Sequence, residues 1–400
     1  MNPNHRQFQP SFIEFVALVS MLMALTALSI DAMLPALGQI AADLHVQAAN
    51  DRQLVVSMIF LGLATGQVLF GPLSDSTGRK PAIYAGLGLY VLGSLLAMAA
   101  PAFSLLLVGR LLQGMGVSSP RAVTLALVRD RYEGRAMARV MSFVMTVFIL
   151  VPMLAPTVGQ VVLLVAGWRA IFGVFVLLAL ILLVWLGLRQ PETLPAERRI
   201  PFGGRRILSA VTEILRNRVA LGYTVTAGLV SGAFIGYLNS AQQIFQEQYA
   251  LGELFPLVFA VVASSVGLAS LLNARLVMRF GMRLLVRRSL LAIVVLALVA
   301  LAVALATGIY LPLPLFMAYL MLSFFCVGIL FGNMNALAME PLGHIAGIGA
   351  AVVGSLSTFM STLLGTLVGQ SYNGTVLPLV LGLLVLAGLS LLVVRWAEAD

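Results

Sequence analysis

Apolar runs of roughly twenty residues, separated by short polar turns, follow one another from end to end of this chain. Such a run is the length an α-helix needs to cross a bilayer, because ~20 residues rising about 1.5 Å each span about 30 Å. The runs fall at about 12–34, 52–74, 81–100, 103–127, 140–163 and 169–188, then at about 219–246, 255–278, 285–307, 313–339, 346–372 and 376–394. They are continuous, whereas barrel strands would be about ten residues long and alternate in polarity. Composition agrees, with 60% hydrophobic and only 10% charged residues, where soluble domains carry about 25% charged. An all-α membrane protein with about twelve spans is expected. The first run begins near Phe12 and is too long for a signal-peptide core, with no small-residue cleavage site after it, so it is expected to remain as the first span.

A formal charge of +9 raises the question of an acidic partner. The distribution of Lys and Arg answers it. With the N-terminus in the cytoplasm, nineteen of the 24 basic residues, Arg6, Arg79, Lys80 and Arg129 among them, fall on the cytoplasmic side, and only Arg52 and Arg169 fall outside. This asymmetry places both termini in the cytoplasm and explains the basic balance without nucleic acid. Cys326 is the only cysteine and lies in an apolar run, while His5, His45 and His344 are far apart on different loops, so no disulfide or metal site is expected. An enzyme is not expected either, since no paired acids, His cluster or nucleophile–base set is present.

The longest loop, about 189–217, divides the chain into six-span halves at 1–188 and 218–400. It opens as a polar linker. Within Arg205–Arg218, Ile207, Leu208, Val211, Ile214 and Leu215 recur at helical spacing with charges between them, which predicts a short amphipathic helix in the inner membrane interface. The alternative is a simple continuation of the seventh span. A shift of 203 residues lays Leu73, Gly78 and Lys80 on Leu276, Gly281 and Arg283, with Asp75 replaced by Met278. Parallel halves around a midplane cavity are a transporter architecture.

Between the second and third spans stands Gly71-Pro-Leu-Ser-Asp-Ser-Thr-Gly-Arg-Lys80, which holds the only lysine of the chain. It is not a phosphate-cradling loop, because the glycine spacing is wrong and Lys80 is followed by Pro81. Gly71, Leu73, Asp75, Gly78, Arg79 and Lys80 resemble the signature loop of the major facilitator superfamily; Ser76 departs, since many members have a basic residue there. In the fourth span, Arg110, Gln113, Gly114 and Gly116 resemble the motif of the proton-coupled drug antiporters. Ile30–Leu37, Leu127–Ser142, Val151–Gly159 with Pro152 and Pro156, and Gly167–Phe172 look like the bicyclomycin-resistance (Bcr/CflA) subfamily. Gln160 stands where that family usually has a second glycine. The resemblance covers essentially the whole chain and is stronger in the first half.

The resemblance implies proton-coupled efflux of small hydrophobic or zwitterionic compounds across the bacterial inner membrane, by alternating access, in a monomer with no cofactor beyond the proton gradient. A proton-coupled uptake symporter for a small polar metabolite is the alternative, since fold does not fix function. No ATP motif is present, so uphill transport must borrow an ion gradient. That needs a carboxylate inside the membrane whose protonation can change during the cycle. Asp31 is the only Asp or Glu well inside a first-half span. It lies about 18 Å and Arg110 about 12 Å from the outer ends of their spans, counted at 1.5 Å per residue, so a pair across the cavity is expected. The alternatives are that Asp31 caps the break at Pro35 and that Arg110 only braces helices. Met23 stands where the family often has another acid, so a cationic substrate lacks that handle.

By the same resemblance Asp75 and Arg79, with Gly71, Gly78 and Lys80, form a latch that holds the halves together at the cytoplasmic face. Asp130 is the expected partner of Arg79; the alternative is a solvated loop charge. Pro152 and Pro156 are expected to kink the fifth span and, with Gly159, to let it pack closely against the other half. Tyr237, Asn239, Gln242 and Gln243 on the seventh span, with Asn333 and Asn335 on the tenth, are candidate substrate contacts amid plentiful Met and Phe. For each of them the alternative is helix packing.

Overall fold

The computed structural model describes residues 10–308 and 311–399. His5 and Arg6 lie outside the described residues. The helices are α1 (Phe12–Asp31), α2 (Leu37–Asp43), α3 (Leu54–Thr77), α4 (Arg79–Met98), α5 (Phe103–Arg131), α6 (Gly134–Ala166) and α7 (Trp168–Arg189). They continue as α8 (Gly204–Arg216), α9 (Arg218–Gln242), α10 (Phe255–Phe280), α11 (Met282–Ala306), α12 (Leu313–Met339), α13 (Ala346–Gln370) and α14 (Leu377–Ala397). No strand occurs among the described residues.

The reason is the apolar solvent the runs imply. In hydrocarbon a backbone must satisfy its own polar groups, and a helix does so within one segment. Nine helical stretches among the described residues are long and apolar enough to cross a membrane, and three of them, Phe12–Asp43, Gly134–Arg189 and Leu313–Gln370, each contain two helices. Of the long helices α5 is the least apolar, because Arg110, Gln113 and Arg121 lie along it. Large apolar side chains such as Val165, Leu188 and Leu367 point outward, as they do in a protein whose solvent is lipid. The chain is an all-helical, multi-pass membrane protein.

Helix ends follow local signals. Ser11 caps α1 by accepting a 3.2 Å hydrogen bond from the Glu14 amide. Gly78 turns the chain from α3 into α4 at φ +111°, a backbone conformation that other residues rarely adopt. Gly281 does the same between α10 and α11 at φ +76°, at the position the 203-residue shift assigns to it.

α1 and α3–α7 pack against one another, as do α9–α14, and the two groups meet mainly where α3 runs along α13 and α6 along α10. The amphipathic helix expected in the linker is present as α8. It is a separate helix, because the Asn217 side chain caps α9 by accepting from the Ala220 amide at 2.9 Å. Ala210 and Ile214 face inward from α8, while Leu208 and Leu215 face out. The segment 71–80 is less of a loop than expected. α3 continues through Pro72 to Thr77, and Gly78 alone separates it from α4.

Candidate functional site

The first span is broken where its carboxylate sits. α1 ends at Asp31, Leu34–Ala36 form a tight turn with Pro35 inside it, and α2 resumes at Leu37. Proline lacks the amide that would continue the ladder, so carbonyls at the end of α1 lose their helical donors. Asp31 is 5% exposed, and among the described residues it makes no hydrogen bond and no ion pair. A buried carboxylate without a partner is a costly feature inside a membrane.

Arg110 is completely buried on α5, and it does not pair with Asp31. This corrects the expected pair. Its Nη1 donates to the Ser29 carbonyl at 3.0 Å and to Gln113 Oε1 at 2.6 Å, and its Nε donates to the Val55 carbonyl at 2.9 Å. The break in the first span frees the Ser29 carbonyl, and the guanidinium takes it. Gln113 passes the network on to Ser94 Oγ at 2.9 Å, and Ser29 Oγ bonds the Tyr90 hydroxyl at 2.6 Å. Arg110 thus ties α1, α3 and α5 together two residues before Asp31. One nitrogen, Nη2, is buried without a partner.

The glycines of the same helix let this cluster close. A Cβ on Gly114 would strike the Ile59 carbonyl of α3, and one on Gly116 the Tyr90 amide of α4. Gly159 lies against the Ala32 carbonyl, immediately after Asp31. Pro152 and Pro156 lie inside a continuous α6. At Gly159, therefore, α6 sits on the broken end of α1 in its own half. α6 also meets the other half, where Ile149 fills the space beside Gly267 of α10.

At the end of the molecule that carries residues 71–80, Arg79 is the centre. Its Nη1 bonds Asp75 Oδ1 at 2.5 Å and Ser74 Oγ at 3.0 Å, and its Nε bonds Asp130 Oδ2 at 2.9 Å. Asp130 is the partner the sequence suggested. Gly71 faces the other half, where an added Cβ would lie 3.2 Å from that of Ala351 on α13. Lys80 Nζ donates to the Gly187 carbonyl at 2.9 Å.

Sequence reasoning missed Glu192 in the linker. Its carboxylate accepts from the amides of Arg79 and Lys80 at 2.9 Å each, and from Thr193 and Leu194 at 2.9 and 2.8 Å. An anion at a helix N-terminus satisfies free amides and complements the helix dipole. Thr193 Oγ1 also donates to Asp130 at 3.1 Å, and the Ile200 amide bonds the Asp75 carbonyl at 2.9 Å. The linker is strapped over the Asp75–Arg79–Asp130 cluster. Local sequence gave no signal for it, since Glu192 lies 113 positions from Arg79.

Most of the candidate substrate contacts are elsewhere employed. At the opposite end, Gln243 accepts from Gln53 at 2.5 Å and donates to Asn50 at 2.8 Å. Asn239 donates to Ser57 and to the Gly365 carbonyl, both at 3.1 Å, and Ser57 also bonds Thr366 at 2.8 Å. Gln242 donates to Gln246 at 2.9 Å, within the π-helical turn Gln243–Gln248 that carries Glu247 to Arg52. Asn239 and Gln243 build a polar seam between the halves, while the hydrogen bonds of Gln242 stay within its own half. Asn333 pairs with Asn273 at 2.9 Å, and Asn335 is exposed and bonds its own helix at Phe331. Two of them keep a buried polar atom without a partner, Gln242 its Oε1 and Tyr237 its hydroxyl. For Tyr237 the surroundings are otherwise apolar. It is 2% exposed, its hydroxyl has no partner, and its ring stacks on Phe259 and meets Phe324 edge-on.

No group of three or more His, Cys, Asp or Glu side chains converges among the described residues as a metal site would require. What the arrangement offers instead is a partnerless carboxylate at a helix break, a buried cation beside it, and separate polar fastenings at the two ends of the bundle.

Known proteins share this plan. Residues 19–366 match the model of the Major Facilitator Superfamily. An uncharacterized MFS-type transporter, YdgK of Bacillus subtilis, is 33% identical over 88% of this chain and 87% of its own. A bicyclomycin resistance protein homolog of Haemophilus influenzae is 27% identical over 93% and 92% of the two chains. The multidrug resistance protein MdtL of Klebsiella pneumoniae is 27% identical over 93% and 94%. The solved xylose transporter XylE of E. coli, in a partially occluded inward open conformation, superposes with a TM-score of 0.72 over 97% of this chain and 98% of that one, at 14% identity. The human organic anion transporter MFSD10 gives a TM-score of 0.71 over 98% and 100%, at 18% identity. With a family model and a relative 33% identical each matched over most of its length, this chain belongs to the Major Facilitator Superfamily.

Proposed function

We propose that the protein exports small hydrophobic or zwitterionic compounds across the bacterial inner membrane in exchange for protons. The observation that carries this reading is Asp31, a carboxylate buried at the break of the first span with no partner to hold its charge. In a low-dielectric interior the charged and neutral forms of such a group differ greatly in cost, so moving a proton on or off it can bias which side of the membrane the cavity faces. The relatives named for bicyclomycin and multidrug resistance support the export direction.

In this reading the chain crosses the membrane twelve times with both termini in the cytoplasm. Residues 1–188 and 218–400 form the two rocking halves, and 189–217 joins them. The polar seam through Asn50, Gln53, Asn239 and Gln243 is then the outer gate, and the Asp75–Arg79–Asp130 cluster the inner latch. Arg110 acts on Asp31 through the shape of the helix end it holds, with the Gln113, Gly114 and Gly116 positions allowing that close packing.

The test uses purified protein in lipid vesicles with an imposed pH gradient and a pH-sensitive dye inside. Neutral and zwitterionic antimicrobials and metabolites are added in turn to wild type and to Asp31→Asn. Compound-dependent proton movement that disappears in the variant is expected. Proton movement in the same direction as the compound would instead mean uptake, and movement that survives Asp31→Asn would place the proton elsewhere.

A further inference from the structure

We propose that Tyr237 is the group through which the second half of the molecule senses the charge on Asp31. When Asp31 is ionised, the phenol donates a hydrogen bond to it across the interface between the halves, a bond that is not made in this structure. When Asp31 is protonated, that bond loses its charge assistance and the halves part more readily. The proposal rests on Asp31 being the proton site.

Both groups are buried and neither is satisfied. Asp31 is 5% exposed without a partner, and Tyr237, 2% exposed, has a hydroxyl that bonds nothing. Buried hydroxyls and carboxylates are seldom left so. They stand on elements that touch, because the turn Leu34–Ala36 packs against α9. They also stand at one level. Higher up, a Cβ on Gly38 would lie 3.4 Å from Gln242 Nε2. From there Asp31 is seven residues back along its segment and Tyr237 five, about 10 and about 7.5 Å at helical rise.

The other charged and titratable groups near that end of α1 are engaged or distant. Arg110 of α5 spends its Nε and Nη1 on Val55, Ser29 and Gln113, and Tyr90 of α4 is bonded to Ser29. α6 carries Arg135 and Arg139 only at its first turns, and α7 carries Arg169 and Arg189 only at its ends. On α9 the remaining tyrosine, Tyr223, bonds Glu398 at the other end of the bundle. The Tyr237 ring is clamped by Phe259 and Phe324, with centroids 5.9 and 4.7 Å away, which fixes where the hydroxyl sits. Removing the hydroxyl alone therefore leaves the packing in place.

The test is infrared difference spectroscopy of the purified full-length protein in lipid, titrated with pH and with no transported compound present. The protonated-carboxyl band that Asp31→Asn abolishes reports Asp31. Tyr237→Phe is expected to move the midpoint of that band to higher pH by about one unit or more, since the ionised form loses a charge-assisted donor. Phe324→Leu, which disturbs the ring packing but keeps the hydroxyl, is expected to leave the midpoint near wild type. An unmoved midpoint in Tyr237→Phe, or an equal shift in Phe324→Leu, overturns the proposal while leaving Asp31 as the proton site. Failure of Asp31→Asn to remove any titrating band overturns both.

Discussion

Arg52 grips Glu247 with both terminal nitrogens, at 2.5 and 2.9 Å, across the seam between the two halves of the molecule. The pair is bidentate, and its arginine is mostly buried while its glutamate is about half exposed. A bidentate arginine–carboxylate contact fixes orientation as well as contributing energy. Beside it Asn50 reaches the Gln370 and Tyr372 carbonyls at 2.9 and 2.8 Å, so the fastening is a network.

Glu247→Gln keeps the side-chain volume and removes the charge. Because the pair is partly exposed, its loss should cost only about 1 kcal/mol, enough to increase opening of this end several-fold. Hydrogen–deuterium exchange should be faster in peptides covering 50–57 and 366–372 than in wild type. Identical exchange in both would mean that the ion pair does not hold the seam.

Asp75→Asn weakens the hold on Arg79 at the opposite end. It should slow the transport cycle about tenfold or more while changing equilibrium binding of the same compound by less than about threefold, as expected when the loss falls on a conformational step. Binding lost with the turnover rate unchanged would contradict a latch role.

Glu192→Gln tests the linker strap. The amide can still accept hydrogen bonds but no longer brings a charge to the start of α4, and caps of this kind are worth about 0.5–2 kcal/mol. Thermal unfolding in detergent should begin at a lower temperature, and protease cleavage within 190–203 should quicken. A linker equally protected in both proteins would show that the carboxylate is not what holds it.

Gly159→Ala places a methyl group against the Ala32 carbonyl, and overpacking of this kind costs about 1–3 kcal/mol. It should lower stability and disturb proton coupling through Asp31. Gly88→Ala, where nothing lies within 4 Å of the added atom, should be neutral or slightly stabilising because alanine is the better helix former. Equal behaviour of the two variants in thermal unfolding would remove the close contact as the reason for glycine at 159.

Arg110→Lys keeps the charge but not the fork. A lysine ammonium is a point donor and cannot bracket the Val55 and Ser29 carbonyls while holding Gln113. Compound-driven proton flux should fall about tenfold or more in protein that still purifies as a single species. Flux at the wild-type level would show that only the charge matters.

The all-helical, multi-pass plan, the linker helix α8 and the Arg79–Asp130 contact were all legible along the chain. Span length and continuous hydrophobicity answer to the bilayer, and amphipathic spacing answers to one helix face; both are local properties. The signature segment identified its own family, and it placed Asp75 four residues before Arg79, on the other side of the Gly78 break. The partners of the buried polar groups were a different matter. Arg110 bonds the Ser29 carbonyl and not the Asp31 carboxylate, because α1 ends at Asp31 and leaves that carbonyl without a helical donor, and sequence depth alone put both within reach. Asn239 and Gln243 looked like substrate contacts until α9 was set beside α3, where they became a seam. Asn50 meets Gln370 across 320 positions and Glu192 meets Arg79 across 113. Hydrophobic burial is non-directional and can be counted residue by residue, but a hydrogen bond needs its partner within about 3 Å and in line, and only the packing of one helix against another supplies that.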